Sequence, residues 1–332
     1  MSGDAYARSG VDQGKADVAV AALVEALADV GGGGRQLLAP GHYANVVPVG
    51  ERLGIAICTD GVGSKLLVAE RLGRFDTIGI DCVAMNVNDV ICVGAEPLAM
   101  VDYLAVERAD ADVASEIGQG LRRGAELAGI SIPGGELAQL PEVVHGLDLA
   151  GACFGRVELD RLVTGSAIEP GDAVLGLPSS GLHSNGYTLA REALAGLVLD
   201  EDPGTVGRPL GDELLEPTEI YVAPVLELLR SGVAVRGLAH ITSAGLGNLL
   251  RLEAEVGYEI DDPLEPQPIF ALIQTRANVT DDEMHEVFNM GCGFCCVVAA
   301  DDADRAVELL RGHYPDAKRI ARAVAGAPRI ER

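Results

Sequence analysis

Apolar residues recur at helical spacing through residues 15–29 (KADVAVAALVEALAD), which predicts a helix. Gly31, Gly32, Gly33 and Gly34 then break it as a loop or hinge. Residues 46–49 and 55–59 read as paired strands joined by a turn at 50–54. Residues 64–72 read as a helix. So do residues 80–93 (IDCVAMNVNDVICV), which are mostly apolar but carry Asp81, Asn86, Asn88 and Asp89. Residues 98–107 alternate as a strand does, 111–128 form an amphipathic helix, and 147–157 read as a strand again.

Residues 158–172 (ELDRLVTGSAIEPGD) are polar and rich in turn formers, and the domain boundary is placed here. The expected division is 1–160 and 161–332. The second half opens with a strand at 173–177, a loop (PSSGLHSNG) and a helix at 187–197. A surface loop is expected at 200–212, then helices at 220–230 and 246–252. The tail reads as strand 293–300, helix 302–310 and strand 318–324. Both halves mix strands with helices and neither shows a short repeat, so the predicted fold class is α/β (α+β) in two domains.

With 332 residues, 48% of them apolar, the chain can bury a sizeable core. No apolar run approaches the roughly 18 residues of a membrane span. The start, MSGDAYARSG, lacks the basic-then-apolar order of a secretory leader, so a cytoplasmic location is expected. Fifty acidic against 25 basic residues give a net charge of −25. Such a field repels phosphate backbones and anionic lipid, which argues against nucleic acid and membrane partners. The same surplus suits a salt-rich cytoplasm or ordinary solubility, and charge alone does not separate these. The seven cysteines sit in apolar runs. Cys292 and Cys295 spell C-x-x-C without a second pair, so buried thiols acting as small hydrophobes are the expected reading.

An anionic ligand in so acidic a chain needs amide donors, arginine or a divalent cation. The stretch CTDGVGSK offers some of these. It is no P-loop, because Ser64 separates Gly63 from Lys65. Asp60 ends a strand, where it can hold Mg²⁺, and the glycine turn enters a helix whose amides can meet an oxyanion. Lys65 can reach a phosphate as a point charge. The alternative is an ordinary capped turn. In NVND, Asn86 and Asp89 share a helical face and Asn88 lies off it, with Asp81 nearly in line with Asp89. Asp89 is then either a buried hydrogen-bond hub or a second metal carboxylate. Glu136, after Gly134 and Gly135 at an expected strand-end turn, is a third oxygen ligand or an exposed loop residue. Ser179, Ser180, His183, Ser184 and Asn185 crowd one loop, which is an anion site in outline or a hydrogen-bonded turn with a helix cap. No G-x-S-x-G accompanies it. Gly245 and Gly247 in TSAGLGN make a weaker phosphate cradle. As a set these features suit magnesium-nucleotide chemistry on a phosphorylated substrate.

These segments, together with LAGACFG, LLEPTEIYV, AHIT and FNMGCGF, resemble the phosphoribosylformylglycinamidine cyclo-ligase family, also called the aminoimidazole ribonucleotide synthetases. The match is collinear from Tyr6 to the last strand, and APGHYANVV looks like the archaeal-type members. The resemblance implies an N-terminal α/β domain for ATP binding and dimerisation, its strands forming a barrel across a homodimer, and a C-terminal α/β domain. It implies ATP and Mg²⁺, and ATP-dependent ring closure of formylglycinamidine ribonucleotide to aminoimidazole ribonucleotide, with release of ADP and phosphate, in purine biosynthesis. By this resemblance Asp60, Asp89 and Glu136 face magnesium. Gly61, Val62, Gly63, Ser64, Lys65, Asp81, Asn86 and Asn88 belong to the nucleotide region. Ser180, His183, Ser184 and Asn185 form the substrate-side loop, with His183, Lys65 and Asp60 as the expected catalytic groups. Leu137 stands where the family has threonine, Pro133 where it has an aliphatic residue, and Ser243 and Ala244 where it has glycines. These departures bear on activity rather than fold. Two alternatives stay in view: a small-molecule kinase of the same superfamily and, motivated by Leu137, Ser243 and Ala244, a nucleotide-binding regulator without turnover.

Overall fold

The computed structural model describes residues 13–27, 37–38 and 41–332. Helix α1 (Gln13–Ala26) occupies the start of the first predicted helix. The end of that prediction and the Gly31 to Gly34 break lie outside the described residues.

The first half builds a five-stranded sheet from β1 (Asn45–Pro48), β2 (Leu53–Gly61), β3 (Glu96–Val106), β4 (Ser131–Gln139) and β5 (Leu147–Glu158), in the order β1-β2-β5-β3-β4. Only β3 and β4 run parallel. After β2 the chain makes a 3₁₀ turn (Gly63–Lys65) and the short helix α2 (Leu66–Leu72). Helix α3 (Ile78–Ile91) lies across β2 and β5, and α4 (Ala111–Ala128) covers α3. The α4 N-cap is Asp110, whose carboxylate accepts from the amides of Asp112 and Val113. A Cβ on Gly79 would lie 2.1 Å from the Leu121 amide nitrogen, so these two helices cross at backbone contact.

The other face of this sheet is open. Ile57, Val101, Tyr103 and Phe154 share it and are 39–52% exposed. Within one chain β1 and β4 remain free edges, and the described residues close no barrel.

The second half builds a six-stranded sheet in the order β11-β8-β10-β6-β9-β7. Its strands are β6 (Ala173–Pro178), β7 (Val235–His240), β8 (Val256–Ile260), β9 (Cys292–Val298), β10 (Lys318–Ala325) and β11 (Ile330–Glu331). Every residue of β9 is buried. Around the sheet run α5 (Tyr187–Ala193), α6 (Leu210–Leu214), α7 (Val222–Arg230), α8 (Pro268–Ala277), α9 (Asp281–Val287) and α10 (Ala303–Arg311). Both halves are therefore mixed α/β.

Several elements differ from the sequence expectation. Gly134 and Gly135 lie inside β4 rather than in a turn. A Cβ on Gly135 would come 2.3 Å from the Asp102 carboxylate, so the glycine marks a close approach between strands. Residues Gly245–Arg251 form a 3₁₀ helix instead of an α-helix. Helix α5 stops at Ala193, and Gly196 turns the chain away at φ 85°. All seven cysteines are free, and all but the half-buried Cys58 are buried, as apolar packing requires. Among the described residues no helix is long and apolar enough to cross a membrane.

Candidate active site

Helix α3 is buried on nearly all sides, so each polar side chain in IGIDCVAMNVNDVI must find a partner. Asp81 Oδ1 accepts from Lys65 Nζ at 2.9 Å, and from the Thr218 amide and hydroxyl at 2.7 Å each. Asn88 donates to the Glu219 carbonyl at 2.8 Å and accepts from the Tyr221 amide at 3.0 Å. Both residues thus bind the 216–221 segment of the second half. Asn86 works within the first half. Its amide donates to the Asp60 carbonyl at 3.1 Å, and its oxygen accepts from the Asp60 amide at 3.1 Å, fixing the end of β2. Asp89 meets His240 of β7, Oδ1 to Nδ1 at 2.9 Å.

Lys65 is sealed in. Its ammonium also donates to the Glu216 carbonyl at 2.6 Å, and the side chain is fully buried. Burial pulls its pKa down, and the Asp81 carboxylate pulls it back up. The sequence expectation sets Lys65, Asp81 and Asn88 against a nucleotide. In the structure all three bond to the 216–221 segment or to each other and join the two halves, and a phosphate contact by Lys65 would compete with its ion pair to Asp81.

Asp60 ends β2 and accepts from the Gly61 amide at 2.7 Å. Its pKa is pushed up to about 6, first by burial and then by the charge of Asp89. The Gly61 amide, His240 and Arg251 act in the opposite direction. Two carboxylates that repel in a poorly solvated place, each held by a bond to the protein, fit a divalent cation, which would relieve both. Magnesium commonly uses one or two carboxylates and completes its shell with phosphate oxygens and water, so a pair is enough.

Glu136 is not part of this pair. It stands in register with Tyr103, which pairs with Ala150, which pairs with Gly61. That row faces the opposite way from Asp60. Glu136 therefore belongs to the open apolar face. Among the described residues no three His, Cys, Asp or Glu side chains gather as a metal site.

The loop between β6 and α5 packs against the 61–64 turn. A Cβ on Gly63 would touch the Ser184 carbonyl at 3.9 Å, and Ser64 Oγ lies 3.3 Å from Thr188 Oγ1. Ser180 Oγ donates to the Pro217 carbonyl at 2.6 Å, and Ser184 Oγ lies 3.1 Å from Thr218 Oγ1. His183 takes φ 62°, which is unusual outside glycine. Its Nε2 accepts from the Ser180 amide at 3.1 Å. Burial pulls its pKa well below the ordinary value, so the ring is neutral with its proton on Nδ1. That Nδ1 is buried with no partner, and so is the Asn185 amide nitrogen. Two unused donors in one loop suit an incoming acceptor.

Other residues join the site without a signal of their own in the sequence. The Arg251 guanidinium lies 4.2 Å over the Tyr43 ring and donates to the carbonyls of Gly41 and His42. Tyr43 donates to the Asn248 carbonyl at 2.8 Å, and the Asn248 side chain accepts from the Thr242 amide at 2.8 Å. Ala244 takes φ 79° where a glycine would be easier. Leu137 lies away from the carboxylates. With Phe75, Leu104, Val106, Val113 and Leu147 it lines a half-open cavity of about 350 Å³.

Residues 41–157 match the family described as AIR synthase related protein, N-terminal domain, and residues 169–331 match its C-terminal domain. The chain is 52% identical over 309 residues to the phosphoribosylformylglycinamidine cyclo-ligase of Methanothermobacter thermautotrophicus, covering 92% of this chain and 90% of that protein. It is 46% identical over 311 residues to the Methanobrevibacter smithii protein of the same name, covering 93% and 91%. Among solved structures, the fold is similar to AaThiL complexed with AMPPCP and TMP, with a TM-score of 0.67 at 15% identity over 94% of this chain and 92% of that one. It is also similar to T. maritima PurL complexed with ATP, with a TM-score of 0.58 at 18% identity over 86% and 43%.

Proposed function

The chain belongs to the AIR synthase related protein family, and from that premise we propose that it is a phosphoribosylformylglycinamidine cyclo-ligase. It closes the imidazole ring of aminoimidazole ribonucleotide at the expense of ATP, in purine biosynthesis. The observation that carries the site assignment is the Asp60–Asp89 pair, set beside a glycine turn from one half and a donor-rich loop from the other.

An amide oxygen leaves poorly. Transfer of the γ-phosphoryl group of ATP to that oxygen gives an iminophosphate. An amidine nitrogen of the same molecule then attacks the carbon, and inorganic phosphate departs. Such transfer asks the protein for positioning and charge neutralisation. Asp60 and Asp89 would hold magnesium, which when bound offsets the charge of the phosphates. The amides of Gly61, Val62, Gly63 and Ser64 are assigned to nucleotide oxygens. Asn86 holds the end of β2 in place for them. His183 is assigned as a neutral donor: its Nδ1–H and the Asn185 amide bind and orient the formylglycinamidine substrate, with Ser180 and Ser184 shaping the loop.

The finer organisation follows the same reading. Residues 1–160 form the ATP-binding and dimerisation domain and 161–332 the second domain. A second copy seated on Ile57, Val101, Tyr103 and Phe154 would bury that apolar face and complete a barrel, giving a cytoplasmic homodimer. Glu136 opens onto the same face, so its part in metal binding is assigned to the assembled dimer.

The test is incubation of the purified chain with formylglycinamidine ribonucleotide, ATP and Mg²⁺. Aminoimidazole ribonucleotide and ADP should appear in equal amounts. A phosphorylated product without ring closure would indicate a kinase instead. ATP binding with no phosphate release would indicate a regulator.

A further inference from the structure

We propose that His240 is a positioning residue for Asp89, so that the second half of the chain sets the geometry of the carboxylate pair in the first. The inference rests on the reading that Asp60 and Asp89 hold a divalent cation.

His240 is the last residue of β7 and is fully buried. It pairs in register with Phe294 of β9, and the two rings stack with centroids 6.5 Å apart. Its Nδ1 lies 2.9 Å from Asp89 Oδ1. A carboxylate oxygen only accepts, so Nδ1 carries the proton and donates. The other ring nitrogen, Nε2, lies 3.5 Å from the Asn88 amide nitrogen. That amide is held in turn by the Glu219 carbonyl at 2.8 Å. Ring packing and the Nδ1 bond thus fix the imidazole, and the imidazole fixes one carboxylate oxygen.

The Asp89 side chain is 13% exposed while His240 is not exposed at all. Its second oxygen is the one left for a cation. Without the imidazole, Asp89 would be free to rotate on the helix surface. Partners behind a metal ligand typically tune affinity in this way. The contact also crosses the two halves, because Asp89 belongs to α3 and His240 to β7. Metal geometry therefore depends on how the second sheet is seated. The substrate-side loop packs on the neighbouring strand β9: a Cβ on Gly293, next to Phe294, would meet the His183 ring at 2.7 Å.

The experiment measures Mn²⁺ binding to the full chain by electron paramagnetic resonance, with a non-hydrolysable ATP analogue present. His240→Ala should weaken Mn²⁺ binding by about ten-fold or more. His240→Asn, whose amide can occupy the Nδ1 position, should bind close to wild type. His240→Gln places its amide at the Nε2 position and should follow the alanine variant. A merely structural histidine would lower the melting temperature in all three without this ordering. Equal Mn²⁺ affinity in His240→Ala and wild type overturns the proposal. So does equal affinity in the asparagine and glutamine variants, which decides the matter even if the alanine variant does not fold. Absence of Mn²⁺ uptake by the wild type overturns the metal reading itself, and this inference with it.

Discussion

Lys65 Nζ and Asp81 Oδ2 lie 2.8 Å apart with both side chains fully buried. Thr218 completes the carboxylate's partners and the Glu216 carbonyl completes the ammonium's. The lysine that follows the glycine turn is therefore part of the joint between two sheets.

Lys65→Met should leave Asp81 as an uncompensated buried charge. The expected loss is about 3–5 kcal/mol, read from urea unfolding. The double variant Lys65→Met with Asp81→Leu should recover much of it. A lysine that served only as a phosphate contact would leave stability untouched.

Asp60 gives a pH dependence with a definite sign. Its folded pKa of about 6 stands above its ordinary value near 3.8. Between these values the folded chain holds more protons than the unfolded chain. The contribution of Asp60 to stability thus falls as pH rises through about 4 to 6 and stays low above that. Asp60→Asn should raise the stability of the metal-free protein at pH 7.5 by about 2 kcal/mol, allowing for its partial exposure, while abolishing Mg²⁺-dependent turnover. Because a cation must displace the proton, apparent Mg²⁺ affinity should drop about ten-fold per pH unit below pH 6, measured by calorimetry.

His183→Ala should lower kcat by about 100-fold or more through loss of one placed donor. Its far-ultraviolet circular dichroism should stay that of wild type. His183→Asn, which tolerates a left-handed backbone and keeps an amide donor, should retain more activity. If both variants turn over at the wild-type rate, the donor role is wrong.

Gly79→Ala would push α3 off α4, since the added methyl meets the Leu121 backbone. A cost of about 1–3 kcal/mol is expected from overpacking. Activity should fall too, because α3 carries Asp89 and Asn86. The readouts are the melting temperature and the ring-closure rate.

Ile57→Lys places a charge on the open sheet face. Sedimentation should show a smaller species than wild type, at unchanged secondary structure. A wild-type chain that sediments as a monomer would remove the homodimer.

Much of this was legible from periodicity. Helix α4 follows from its amphipathic spacing, α3 from its mostly apolar run, and β3 from its alternation. The β4 strand was hidden because Gly134 and Gly135 look like a turn; the nearness of Asp102 explains Gly135, and nothing crowds Gly134. Helix α9 is marked by a capping box of Thr280 and Glu283, a local signal that apolar periodicity misses in so short an element. In the site, Asp60 and Asp89 stand out as carboxylates at a strand end and within a buried helix. The partner of Asp89 does not, because His240 is 151 residues away and nothing local links them. Lys65 is ambiguous for the same reason: a phosphate and Asp81 satisfy an ammonium alike, and only the fold decides between them.

Helix α3 is covalently one half's and energetically both halves'. Cutting the chain at the 158–172 linker would leave α3 packed on its own sheet but take from Asp81, Asn88 and Asp89 their partners Thr218, Tyr221 and His240, which go with the other fragment. Two domains by architecture, the molecule should then melt in a single transition, with these bonds tying one half to the other.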